Sequence, residues 1–246
     1  MESTPFIYNS FKQKRKQFAV LIDPDKYNAA DITGLLQYAQ DGLIDYFFVG
    51  GSLLTEDYLE KWITLIKNNT QIPVILFPGN TLQICPKADA ILFLSLISGR
   101  NPEMLIGKHV IAAPYLKSTT LKIIPTGYML IDSGKQTAAS YMSNSQPIPA
   151  DKHDIAVCTA MAGEMLGLKV IYMDAGSGAI NPVSEMMIRE VRKHISVPLI
   201  IGGGIDSPEK AQTACSAGAD IIVVGNAIEK NPNIITSIST IIKSYQ

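Results

Sequence analysis

Cysteine, histidine, tryptophan and net charge are all scarce in this chain, and each scarcity removes a class of protein. Three cysteines, Cys85, Cys158 and Cys215, stand far apart and in no CxxC pair, which excludes a disulfide framework and a cysteine zinc site. They read as small core residues. The histidines, His109, His153 and His194, show no metal-ligand spacing and read as surface or cap residues, and the single Trp62 falls on a helical face as a packing residue. A formal charge of −1 gives no overall attraction to nucleic acid, so neither RNA nor DNA is expected as a partner. No apolar run reaches the roughly 18 residues that a spanning helix needs, and no leading stretch resembles a signal peptide. A soluble, cytoplasmic protein is expected.

What is present is apolar residues in short runs. With 47% hydrophobic residues over 246 positions the chain can bury a large core, and no break in composition marks a second domain across 1–246. Residues 1–17 form a polar lead-in whose Lys12, Lys14, Arg15 and Lys16 read as the solvated face of a short helix, with contact to anionic lipid headgroups as the alternative. Strands are predicted at 18–22, 46–49, 74–77, 90–94, 126–131, 170–172, 198–201 and 220–224, each a nearly continuous apolar run. Helical patterns alternate with them: 31–40 capped by Asp31, 57–67, 102–116 with an interruption near Pro114, 154–166 capped by Asp154, 182–194, 208–217 and 232–243. Between 77 and 90 a crossover helix scarcely fits. Eight strand–helix units in this length predict a (β/α)8 barrel, α/β in class, with the third helix absent or vestigial. The polar stretch 132–153, with Pro147 and Pro149, is long enough to serve as a lid.

In such barrels the strands' C-terminal ends build the active site. Three successive ends here are rich in glycine: Tyr172 to Gly178, Gly203-Gly204 and Gly225-Asn226. Glycine lets backbone N–H groups approach a ligand closely, and a turn opening a helix favours an anion, most often phosphate. A single junction of this kind is equally a tight connection; three adjacent ones point to one phosphate. On the other half of the ring, Asp23 follows the first strand and Ser52 the second. They are hard oxygen ligands suited to Mg2+ beside a diphosphate, or else an Asp-Pro turn and a helix cap.

Six segments in order, Leu21-Ile-Asp-Pro-Asp-Lys26, Gly50-Gly-Ser52, Phe77-Pro-Gly-Asn80, Tyr172 through Ala179, Ile201-Gly-Gly-Gly-Ile205 and Val224-Gly-Asn226, resemble the geranylgeranylglyceryl phosphate synthase family, to which the bacterial heptaprenylglyceryl phosphate synthases are related. The resemblance runs from about residue 18 to the C-terminus. Phe77-Pro-Gly-Asn80 and Gln146-Pro-Ile-Pro149 resemble the geranylgeranyl branch more than the heptaprenyl branch. It implies transfer of a prenyl group from geranylgeranyl diphosphate to the 3-hydroxyl of sn-glycerol 1-phosphate. By the same resemblance Asp23 and Ser52 hold Mg2+, and Tyr172, Met173, Asp174, Ala175, Gly176, Ser177, Gly178, Gly203, Gly204, Gly225 and Asn226 hold glycerol phosphate. The family commonly has Glu at the position of Asp174, the residue implied to contact the glycerol hydroxyls and help accept the proton, so the carboxylate here reaches one methylene less far. A homo-oligomer is also implied.

The chain has no Asp-Asp pair, so the aspartate-rich signature of chain-elongating prenyltransferases is missing. Leu94, Leu96, Ile97, Leu105, Tyr115 and Leu116 are candidates for an apolar tail groove, and equally for core. Two other readings stand beside the transferase: a sugar-phosphate isomerase or epimerase barrel, and a phosphate-binding or membrane-surface scaffold without catalysis.

Overall fold

The computed structural model describes residues 5–245; the first four residues of the polar lead-in and Gln246 lie outside them. Eight parallel strands close into a barrel in sequence order: β1 (Gln17–Ile22), β2 (Tyr46–Val49), β3 (Val74–Leu76), β4 (Ala90–Leu96), β5 (Lys122–Leu130), β6 (Val170–Asp174), β7 (Leu199–Gly202) and β8 (Ile221–Val224). Pairing of β1 with β8, Phe18 beside Ile222, shuts the ring.

Alternation along each strand divides the core in two. Ala19, Tyr46, Phe48, Ile75, Leu92, Tyr128, Tyr172, Ile200 and Val223 fill the barrel interior. Their neighbours Phe18, Val20, Phe47, Val49, Leu76, Ile171, Met173, Ile201 and Ile222 face the helices outside. Nearly continuous apolar strands are what a sheet buried on both faces requires.

Around the ring stand α1 (Pro5–Phe11), α2 (Ala29–Gln40), α3 (Leu59–Asn69), α4 (Lys108–Lys117), α5 (Ala138–Met142), α6 (His153–Met165), α7 (Glu185–His194), α8 (Pro208–Ala217), α9 (Asn226–Lys230) and α10 (Ile234–Lys243). Among the described residues no helix joins β3 to β4, as the short spacing predicts. Gln83 occupies that connection instead, almost fully buried. Its amide donates to the Gly51 carbonyl at 2.8 Å and accepts from the Gly51 and Gly79 N–H groups at 3.2 and 3.1 Å, binding the β3 loop to the β2 loop.

Several helix boundaries differ from the sequence reading. Asn28, not Asp31, caps α2, and Asp31 closes a reciprocal capping box from the third helical position. α6 begins at His153, so Asp154 lies in its first turn rather than at its cap. α7 starts at Glu185 with Ser184 as cap, because Pro182 is used to pack the β6 loop against Gly204. The interruption expected near Pro114 lies earlier, as a π-helical turn at Glu103–Gly107, and α4 runs through the proline. The 132–153 stretch is not structureless: it carries α5 and a parallel bridge of Ile148 to Ile131. Cys85 and Cys215 are buried as expected, but Cys158 is exposed on α6. Trp62 is a packing residue whose indole N–H donates to the Pro24 carbonyl at 3.0 Å. No helix among the described residues is long and apolar enough to cross a membrane.

The lead-in does more than face solvent. Ile7 and Phe11 of α1 insert beneath the interior layer, where the Phe11 ring meets Tyr46 edge-on at 5.1 Å, and Ser10 and Tyr46 share a hydrogen bond of 2.5 Å. Desolvation there pushes the Tyr46 hydroxyl up to about 12. The basic residues emerge at this end, the strands' starts, with Arg15 paired to Asp45 and Lys16 to Asp220. α1 therefore plugs the bottom of the barrel, and Phe11→Ala is expected to lower stability by about 3–5 kcal/mol, read from denaturant unfolding.

Candidate active site

At the opposite end of the barrel a single cavity of about 490 Å³ joins the strand ends, within the range of roughly 300–1,000 Å³ usual for ligand pockets. Tyr172, Asp174, Gly176, Ser177, Gly178, Gly203, Gly204, Gly225 and Asn226 all line it, as do Asp23 and Ser52 across the ring. Met173 and Ala175 do not: their side chains turn into the helix-facing layer, and the Ala175 N–H is taken by the Gly202 carbonyl at 3.1 Å. That split is the strand's own alternation, which brings every second residue of 172–175 to the mouth.

Asp174 is the carboxylate at the top of the interior stack. Tyr128 O–H donates to its Oδ2 at 2.5 Å and Gly176 N–H to its Oδ1 at 2.7 Å. Below it Phe77 stacks on Tyr172 with centroids 5.2 Å apart, and both meet the Tyr128 ring edge-on. Burial pushes the Asp174 carboxyl above the usual carboxylate range, and the Tyr128 and Gly176 bonds pull it part of the way back. Burial, with the Asp174 charge beside it, drives the Tyr128 hydroxyl far above its ordinary value, so the phenol stays a proton donor. Gly203 makes the close approach possible. Its φ is +81°, and a Cβ there would lie 2.5 Å from the Gly176 nitrogen and 2.7 Å from Asp174 Oδ1. The resulting loop, Gly176 to Gly178 facing Gly203 and Asn226, is a concave main-chain surface able to hold an anion. Ser177 Oγ donates to Asn226 Oδ1 at 2.8 Å and ties two of the three junctions together.

On the far side Asp23 Oδ1 accepts the Asp25 N–H at 3.2 Å, and Oδ2 pairs with Lys26 at 3.2 Å. Lys26 also pairs with Glu229 at 3.5 Å, a cavity residue whose carboxyl is raised by burial. Among the described residues no three His, Cys, Asp or Glu side chains gather where they could hold a metal by themselves. The donor set still fits Mg2+ that takes most ligands from phosphate and water: one carboxylate, one hydroxyl, and bare space beside Gly51, whose missing Cβ would sit 3.2 Å from Asp23 Oδ1.

The apolar part of the cavity opens outward at β4. Leu92 and Leu94 of the interior face line it, and so do Ile91 and Phe93 of the opposite face, so the space passes round the strand into the place left by the missing helix. Met104, Lys108, Ala112 and Leu116, spaced by four, form its helical wall. Of the sequence candidates Leu94, Leu96 and Leu116 line this space. Ile97 and Leu105 line a separate shallow groove against α6, and Tyr115 is half exposed. His109 is not a surface residue: it lines the slot, edge-on to Phe93 at 4.4 Å, and burial lowers its pKa so that it stays neutral. Ala112 and Leu116, three and seven residues on, share its helical face and were the signal in the sequence; Gln83 and Tyr128 gave none. Ala138, Ala139 and Met142 of the 132–153 stretch roof the cavity.

The PcrB family profile matches residues 10–244. The chain belongs to the PcrB family. A Chitinophaga pinensis member named geranylgeranylglyceryl phosphate synthase is 56% identical over 93% of this chain and 92% of its own length. The (S)-3-O-geranylgeranylglyceryl phosphate synthase of Thermoplasma acidophilum, solved in complex with its substrate sn-glycerol-1-phosphate, superposes with a TM-score of 0.91 at 32% identity, covering 99% of both chains. An N-acetylmannosamine-6-phosphate 2-epimerase from Clostridium perfringens, at 16% identity and a TM-score of 0.59 over 98% of this chain and 100% of its own, shares the fold alone.

In this PcrB family member, Gly203→Ala is expected to lower stability by more than about 1 kcal/mol, because it adds both a clash and an unfavourable backbone angle. Gly34→Ala, in an exposed turn of α2 with nothing within 4 Å of the new Cβ, is the control and should raise stability by about 0.4–1 kcal/mol. Denaturant midpoints of the two variants should move in opposite directions. Tyr128→Phe removes a donor that favours the charged carboxylate, so the Asp174 titration followed by NMR should move to higher pH than in the parent.

Proposed function

We propose that this chain transfers a geranylgeranyl group from geranylgeranyl diphosphate to the 3-hydroxyl of sn-glycerol 1-phosphate, giving geranylgeranylglyceryl phosphate and diphosphate. The observation that carries the reading is the continuity of the cavity, which runs from the glycine cradle past Asp174 and Asp23 into an apolar slot. Both substrates need such a space: one small anion with free hydroxyls, and one diphosphate with a long hydrocarbon tail. The names of the relatives agree with it.

In this reading the main chain at 176–178, 203–204 and 225–226 binds the acceptor phosphate, with the Ser177–Asn226 bond holding the cradle in shape. The glycerol part then lies over Asp174. Asp23 and Ser52 would hold Mg2+ against the donor diphosphate, where the ion would neutralise the charge that grows as the allylic C–O bond breaks. Lys26, braced by Asp23 and Glu229, adds a cation on the same side. The acceptor hydroxyl oxygen forms the new bond to the allylic carbon as diphosphate leaves with the electron pair. Its proton becomes acidic only as that bond forms, so Asp174 serves as a late acceptor. Tyr128 keeps one Asp174 oxygen fixed and Gly176 the other, which compensates the short side chain with rigidity rather than reach. The tail lies in the slot between β4 and α4, away from water.

The direct test is incubation with sn-glycerol 1-phosphate, Mg2+ and polyprenyl diphosphates of several lengths, followed by extraction of lipid product. Geranylgeranyl diphosphate should be the best donor; a longer best donor would place the chain with the heptaprenyl enzymes, and no product from any donor would remove the reading. Asp23→Asn should abolish turnover with an unchanged unfolding curve, since Asn can still cap the following turn. Asp174→Ala should lower kcat by about a hundredfold, the lower end of a general base's contribution of roughly 10²–10⁴, while acceptor affinity changes little.

A further inference from the structure

The anion cradle has a cation beside it that none of the glycine motifs contains. Lys135 stands in the loop between β5 and α5, and its Nζ lies 3.3 Å from the point where a Cβ on Gly178 would sit. The side-chain nitrogen of Asn226 lies 3.9 Å from the same point. Two donors therefore converge on the bare face of Gly178. The Ser177 hydroxyl donates to the Asn226 oxygen at 2.8 Å, which leaves the amide nitrogen as the donor beside Gly178. Lys135 enters none of the ion pairs formed among the described residues. A positive charge and an amide donor facing one spot, with no carboxylate between them, is an arrangement that an anionic oxygen completes.

The lysine is also delivered by a fixed backbone. Asn181 N–H donates to the Ser133 carbonyl at 3.2 Å, Gly134 N–H to Asp132 Oδ1 at 2.9 Å, and the Thr137 side chain lies 2.6 Å from where a Gly176 Cβ would be. Each contact joins the loop that carries Lys135 either to itself or to the cradle. Bridging of Ile148 to Ile131 holds the far end of the same stretch to the barrel. The Lys135 side chain stands at the rim beside Gly178, on the side of the glycine cradle.

We propose that Lys135 binds the phosphate of the acceptor, adding a full positive charge to a cradle otherwise built from neutral donors. The inference rests on the reading of that cradle as the glycerol phosphate site. It assigns to the 132–153 stretch a direct part in substrate selection: the cation favours a phosphorylated polyol over the free polyol, whereas the backbone alone supplies only partial charges.

Isothermal calorimetry on the full chain, without prenyl donor, tests this with sn-glycerol 1-phosphate, inorganic phosphate and inorganic diphosphate as ligands. Lys135→Met should weaken sn-glycerol 1-phosphate and phosphate about tenfold or more, the scale of one hydrogen bond to a charged group, and should flatten the salt dependence of binding. Lys135→Arg should retain most of the affinity. In turnover assays Lys135→Met should raise KM for the acceptor and leave kcat within about threefold, since the charge is held equally before and during reaction. Parent-like affinity and salt dependence in Lys135→Met would overturn the proposal while leaving the acceptor site standing. Weakened diphosphate binding with acceptor binding unchanged would also overturn it, by moving the lysine to the donor. Failure of the parent chain itself to bind sn-glycerol 1-phosphate would overturn both this proposal and the reading of the cradle beneath it.

Discussion

A carboxylate held dry at the top of a packed ring is the constraint on which the rest of this structure depends. Asp174 sits above a stack of aromatic rings, where two donors among the described residues reach it, one from β5 and one from the turn that follows β6. Each donor offsets part of the cost of that burial, because a buried charge without partners is far costlier than the bonds that satisfy it. The Gly176 turn must therefore fold back on the carboxylate, and the next strand must end without a side chain to let it do so. The glycine cradle is thus as much a consequence of burying Asp174 as a device for binding a ligand.

Much of this was legible in order along the chain. Apolar runs of three to six residues separated by helical patterns predict eight parallel strands, and the short 77–90 interval predicts the missing helix. Glycine clusters mark the junctions because close approach and positive φ leave few alternatives to glycine. The PcrB family membership agrees with the motif resemblance. What stayed hidden depends on contacts between distant segments. Tyr128 is one of ten tyrosines until β5 and β6 pair Tyr128 with Tyr172 and bring its hydroxyl over Asp174. Gln83 looks like a loop residue until the β2 and β3 turns close around it. Phe11 and Ile7, four apart in a polar segment, gave a faint signal that the basic residues beside them outweighed. Cys158 and His109 went the other way from their expected environments, since exposure on a helix depends on which face the neighbouring helices leave uncovered.

The two ends of the barrel are built for different tasks. Below, α1, Tyr46 and the paired basic residues seal the interior and contribute stability. Above, the same strands end in loops that trade packing for main-chain donors, carboxylates and open space. Period-two alternation supplies both: it sends Tyr172 and Asp174 upward through the middle while Met173 and Ala175 anchor the same strand to its helices. A substitution on one set leaves the other in place, which separates what the site does from what keeps the ring closed.

The helix missing between β3 and β4 leaves the outer layer open on one side. The ring of eight strands stays closed, but the helical layer outside it is open beside β4, where Gln83 takes the place of a helix and makes three hydrogen bonds. The cavity wall there is formed by the π-helical turn and α4, elements that no strand pairing fixes. A substitution on that flank would therefore reshape the apolar slot without touching the polar residues of the opposite rim.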